Sequence, residues 1–153
     1  MAIRIIRKEG DEILRKKSKE VTAFDARLSE LIDDMFETMY EADGVGLAAV
    51  QVGSLRRVVT IDTRIEGEKI ELVNPVIVYR HGSREVLEAC LSVPDKHGYV
   101  VRPEKVIVRA KNRYGEECEY IGEGLLAQAI CHECDHLEGE LFIDKVVRYP
   151  EDE

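Results

Sequence analysis

Ala129-Ile130-Cys131-His132-Glu133-Cys134-Asp135-His136-Leu137 is the stretch on which the reading of this chain turns. It holds an HExxH pattern, and its spacing predicts a helix. Residues four apart lie nearly one above the other on a helix, so His132 and His136 present two imidazoles to one metal ion. Glu133 stands beside them, placed to take a proton from an activated water. Counted outward from His132, Leu125, Leu126, Ala129, Ile130, Cys134 and Leu137 spread over a wide arc, so this helix is expected to be mostly buried. Two histidines and an acid on a buried helix are costly without partners, and a metal ion is their natural partner.

Around that helix the chain reads as α+β: antiparallel strands packed against a buried C-terminal HExxH helix, with N-terminal helices outside. Gly10 to Lys17 predicts a short helix with acids early and bases late, matched to the dipole. From Asp25 to about Ala42, Leu28, Leu31, Ile32, Met35, Phe36, Met39 and Tyr40 recur at helical spacing as one packing stripe. Gly44-Val45-Gly46-Leu47-Ala48-Ala49-Val50-Gln51 then reads as a small-residue loop ending in a polar group; it lacks the Lys-Ser/Thr of a phosphate loop. Strand patterns follow at 58–61, 70–72, 76–79, 85–88, 98–101, 105–109 and 117–120, with Asn74-Pro75 as a break. No helical pattern lies between them, which argues against a parallel βαβ sheet. Gly122-Glu123-Gly124 opens the last helix, and Gly139 is expected to close it.

At 153 residues the chain suits one core, so residues 1–153 are expected to form a single catalytic domain. A formal net charge of −9 argues against direct nucleic-acid or anionic-lipid binding. No apolar run is long enough to span a bilayer and the N-terminus has no signal-peptide core, so a cytoplasmic protein is expected. The four cysteines, Cys90, Cys118, Cys131 and Cys134, are then better read as thiols or ligands than as disulfides. Cys131 and Cys134 lack a second CxxC, and Cys134 points away from the histidine pair into the core.

HExxH supplies two ligands, and a catalytic site of this type needs a third with one position open. Phe142 stands where a metzincin has its third histidine. Too little sequence follows Gly139 for a thermolysin-type glutamate helix. The third ligand is therefore sought upstream, with Cys90 first and His97 and His81 behind it.

Three segments in order, Gly44-Val45-Gly46-Leu47-Ala48-Ala49-Val50-Gln51, Glu88-Ala89-Cys90-Leu91-Ser92 and His132-Glu133-Cys134-Asp135-His136, resemble the motifs of the peptide deformylases, GxGLAAxQ, EGCLS and HExDH. The resemblance runs through nearly the whole chain. It implies that Cys90, His132 and His136 bind one divalent metal, ferrous iron by preference with zinc or nickel able to substitute. It implies a hydrolase of protein biosynthesis that removes the formyl group of N-formylmethionyl nascent peptides. Glu133 would be the proton carrier, with Gln51 and the Leu91 N–H holding the oxyanion. The peptide would pair along Gly46 and the Cys90 segment, its methionine in a pocket of Val45, Val86, Leu125 and Ala129. A monomer is expected, with transient ribosome contact, although the C-terminal helix of many bacterial members has no counterpart after Asp144. Ala89 replaces the glycine of the motif, at a cost of about 1 kcal/mol if that position needs a positive φ. Another HExxH peptidase and a catalytically weak metal-binding relative are the competing readings.

Overall fold

The computed structural model describes residues 2–150; Met1 and residues 151–153 of the expected domain lie outside the described residues. Two α-helices, α1 (Ala26–Glu41) and α2 (Leu125–Leu137), are combined with eight strands: β1 (Gly46–Ala48), β2 (Val58–Asp62), β3 (Lys69–His81), β4 (Arg84–Cys90), β5 (Val93–Arg102), β6 (Lys105–Lys111), β7 (Glu117–Glu123) and β8 (Val146–Arg148). They form a five-stranded sheet in the order β1-β2-β3-β6-β7 and a three-stranded sheet β4-β5-β8, every named pair antiparallel. The mixed α+β class and the antiparallel pairing are those expected.

Helix α1 begins where Asp25 accepts a hydrogen bond from the Leu28 N–H, satisfying one of the donors a helix start leaves free. Its stripe of Leu28, Leu31, Ile32, Met35, Phe36 and Met39 is buried against Leu47, Ala49, Val58 and Val73. Helix α2 has apolar neighbours on more than one side. Ala127, Ala129, Ile130, Cys131 and Leu137 pack with Val59, Ile61, Leu72, Val106 and Val108 of the large sheet. Gly139 ends the helical region at φ 78, and a Cβ there would stand 2.4 Å from the Arg15 carbonyl oxygen. Only glycine lets the C-terminal segment pass so close to the N-terminal one.

Four elements depart from the sequence reading. The short N-terminal helix is a single 3-10 turn at Glu12–Arg15, capped by Asp11; four residues give too few hydrogen bonds to propagate an α-helix. Asn74-Pro75 does not break the sheet. Asn74 adopts φ 54, its side chain exchanges hydrogen bonds with the Val21 backbone at 2.8 and 2.9 Å, and β3 runs through a bulge there. The segment read as a loop is β1 followed by a 3-10 turn, Ala49–Val52. Small residues hid a strand that is buried by its neighbours rather than by its own bulk. Strand β8 was not expected at all. Among the described residues no helix is long and apolar enough to cross a membrane.

Candidate metal and catalytic site

Strand β4 places Cys90 at its last position, where the register with β5 slips so that Cys90 faces Val93. Ala89 lies within the slip and is absent from the positive-φ residues, so alanine carries no left-handed backbone cost there. Helix α2 brings His132 and His136 to the same point. The ligand atoms of Cys90, His132 and His136 lie within 4.8 Å of one another, with Cys90 Sγ 3.4 Å from His136 Nε2. The imidazole centroids are 5.1 Å apart. Of the three candidates for an upstream ligand, Cys90 is thus the one beside the histidine pair.

Glu133 is buried at the same corner, and its Oε1 has no hydrogen-bond partner among the described residues; neither has His136 Nδ1. Directly against Glu133 is Gly46, where a Cβ would lie 2.6 Å from Glu133 Oε2. The missing side chain makes room for the carboxylate. Gln51 is fully ordered by its surroundings: Oε1 accepts from the Ala48 N–H at 2.9 Å, and Nε2 donates to Ser92 Oγ at 3.0 Å and faces Cys90 Sγ at 3.6 Å. Its amide is therefore held at the cavity wall beside the sulfur.

Behind the histidines lies a chain of ion pairs, buried at Glu88 and Arg102 and reaching the surface at Lys145 and Glu140, whose buried pair the sequence reading missed. His132 Nδ1 meets Glu88 Oε1 at 2.8 Å, which leaves Nε2 as the nitrogen free to face a ligand. Arg102 bonds Glu88 in bidentate fashion at 2.7 and 2.8 Å and reaches Asp135 at 2.7 Å. Lys145 continues to Asp135 at 3.2 Å and to Glu140 at 3.0 Å. Glu88 had one signal in the sequence, an acid two residues before Cys90 on the same strand face. Arg102 had none, because its role depends on β5 pairing with β4.

The electrostatics follow from this burial. Burial disfavours charge on Glu88, but the hydrogen bonds from Arg102 and His132 overcome it and hold its carboxyl down at about 2. Glu133 lacks such donors, and burial pushes it up to about 7. Burial opposes protonation of His132 too, yet Glu133, Cys90 and Glu88 surround it and raise it well above the ordinary histidine range. His136 is lowered well below that range by burial, with His132 and Arg102 as positive neighbours. A buried thiol, two imidazoles and a carboxyl group with an unpartnered oxygen are metal-binding groups crowded together. That donor set suits a divalent cation of borderline softness.

A cavity of about 620 Å³ opens on this corner. Its wall includes Val45, Gly46, Gln51, Leu91, Leu125 and Ala129 from the expected site, together with Cys90, His132 and Glu133. Gln128, Leu87, Ile6 and Lys8 also line it and were not anticipated. Val86 is absent from the wall. It is 8% exposed and packs with Leu14, Val100, Leu141 and Phe142 in a small core behind Cys90. Strand alternation explains this: Val86, Glu88 and Cys90 share the buried face of β4 while Leu87 faces outward. Cys131 and Cys134 open on the opposite side of α2, in a separate recess.

Comparison with known proteins gives a consistent result. A sequence model described as polypeptide deformylase matches residues 3–151. The chain is 58% identical over 153 residues to a peptide deformylase of Caldicellulosiruptor bescii, covering 100% of this chain and 91% of the relative. A crystal structure of a peptide deformylase from Legionella pneumophila superposes with a TM-score of 0.92 at 51% identity, covering 95% of this chain and 86% of that one. The peptide deformylase of Thermotoga maritima gives 0.91 at 39% identity, covering 95% and 99%.

Proposed function

The chain belongs to the polypeptide deformylase family, and from that premise we propose that residues 1–153 form one catalytic domain, a metal-dependent hydrolase. It removes the formyl group from the N-terminal methionine of newly made polypeptides and releases formate. The observation that carries the reading is the convergence of Cys90, His132 and His136 within 4.8 Å, beside a buried carboxylate with an unpartnered oxygen.

Cys90, His132 and His136 would hold the ion, with ferrous iron as the favoured occupant and zinc or nickel compatible with the same thiolate and imidazole donors. When bound, a divalent ion supplies Lewis acidity for activating water and polarising the formyl carbonyl. Glu133 takes the proton of the attacking water and delivers it to the departing methionine nitrogen. The Gln51 amide and the Leu91 N–H hold the charge that develops on the formyl oxygen. Glu88, fixed by Arg102, holds the His132 ring through Nδ1. The antiparallel sheets thus act as a cradle for the HExxH helix.

The substrate lies extended beside Gly46 and the end of β4, pairing through its main chain, so that varied downstream sequences are accepted. Its methionine occupies the apolar part of the cavity around Val45, Leu125 and Ala129. The setting is cytoplasmic, the protein acts as a monomer, and its contact with the ribosome is transient. The deciding test is release of formate from formyl-Met-Ala-Ser by anaerobic, iron-loaded protein and by a nickel-loaded sample, with Glu133→Ala as control. Formate from the wild type and none from the variant is expected. Absence of formate with both metals, or cleavage of internal amides instead, overturns the reading.

A further inference from the structure

The cavity beside Cys90 and His132 is lined by apolar groups, among them Val45, Leu87, Leu125 and Ala129, and Gln128 Nε2 donates to the Leu87 carbonyl at 3.1 Å. Ile6, Lys8, Asp43 and Pro94 line the same cavity, as does Gly44, where the Leu91 side chain comes within 2.7 Å of the place a Cβ would occupy. With the methionine against the apolar lining, the peptide that follows it has the remaining wall, Lys8 included, as its surroundings.

Among the described residues Lys8 is the only lysine or arginine in the wall of this cavity. It is held there by the segment that carries it. Arg7 N–H donates to the Gln51 carbonyl at 2.7 Å, Lys8 Nζ to the Leu91 carbonyl at 3.1 Å, and Glu9 N–H to the Ser92 carbonyl at 2.8 Å. One N–H of the ammonium is used and two remain for a ligand. Among the described residues no carboxylate pairs with Lys8 within 4 Å. Glu9 pairs with Lys96 at 3.6 Å, and the exposed Asp43 makes no ion pair within 4 Å among the described residues and stays hydrated.

We propose that Lys8 gives the enzyme a preference for acidic side chains in the residues just after the formylated methionine. The proposal rests on the deformylase reading of the site. A rim cation of this kind changes affinity for a charged partner about 1.5- to 5-fold per contact, and salt screens the effect. It acts on which peptides are processed fastest, not on the chemical step.

The test compares kcat/KM for formyl-Met-Ser-Ser, formyl-Met-Asp-Asp and formyl-Met-Lys-Lys at about 20 mM ionic strength. The enzymes are the wild type, Lys8→Met, Lys8→Glu and Lys17→Glu. Lys17 is exposed and outside the cavity wall, so its variant reproduces the change in net charge alone. The Asp-to-Lys preference ratio is expected to fall about threefold in Lys8→Met and about tenfold in Lys8→Glu, to hold in Lys17→Glu, and to collapse at about 0.5 M salt. Equal slowing of all three peptides by Lys8→Glu overturns the proposal, since Lys8 would then only brace Leu91. An unchanged ratio, or an equal shift in Lys17→Glu, overturns it too. Formate from the neutral peptide reports on the deformylase reading separately; its absence removes that reading and the proposal with it.

Discussion

Replacing Arg102 by methionine keeps the length of the side chain but removes the charge that compensates Glu88. Both side chains are almost fully buried, at 4% and 2% exposure, so solvent screens the pair little. The Glu88 carboxyl is held at about 2 against 4.5 for a free one, a difference worth about 3 kcal/mol at neutral pH, at about 1.4 kcal/mol per pH unit. Breaking a buried ion pair by removing one partner costs about 3–5 kcal/mol by independent measure. His132 shares in holding the Glu88 carboxyl down, so the first figure is an upper bound on Arg102's part, and a loss of about 2–3 kcal/mol is expected. The folded-state pKa is depressed, so this stability is present above the unfolded value of 4.5 and is lost as pH falls toward about 2. At pH 3 the wild type retains only about 1 kcal/mol of it. Urea denaturation of both proteins with a metal chelator present, at pH 7 and pH 3, measures the difference. A destabilisation under about 1 kcal/mol at pH 7, or one undiminished at pH 3, would refute the assignment of Arg102 as the compensating charge.

Gly46→Ala puts a methyl group 2.6 Å from Glu133 Oε2 and displaces the carboxylate; kcat for formate release is expected to fall about 100-fold, and an unaltered kcat would show that Glu133 relocates freely. Gly139→Ala combines φ 78 with a 2.4 Å approach to the Arg15 carbonyl, so stability in urea should drop by about 2 kcal/mol or more; a wild-type denaturation midpoint argues against the close passage of the two segments. Burial pushes the thiols of Cys131 and Cys134 up to about 11 and about 12, so both should resist iodoacetamide at pH 8 in the folded protein and react once it is unfolded, as read by peptide mass. Fast alkylation of either in the native state would contradict the raised thiol values.

Much of the architecture was legible because its signals are local. The apolar stripe from Leu28 to Met39 marked α1 to within a residue at each end. β-Branched runs located most of the strands, although Asn74-Pro75 concealed the continuity of β3, since a turn signal can be absorbed by a bulge whose polar side chain finds the Val21 backbone. Leu47 and Ala48 gave no strand signal, because β1 owes its order to pairing with β2.

The site divides in the same way. His132, Glu133 and His136 come from one helix, and helical spacing alone makes them neighbours, so the sequence by itself sufficed to bring two imidazoles and a carboxylate together. The motif resemblance added Cys90 and Gln51. It was the pairing of β4 with β5 that set Arg102 against Glu88 and so gave His132 its fixed ring. Likewise only the course of the N-terminal segment across Gln51 and Ser92 put Lys8 in the cavity wall. Contacts between residues distant in the chain depend on register and on loop paths, which reflect the free energy of the whole fold. Residue type records the local preferences that enter that sum, and the tertiary structure decides which distant charges meet.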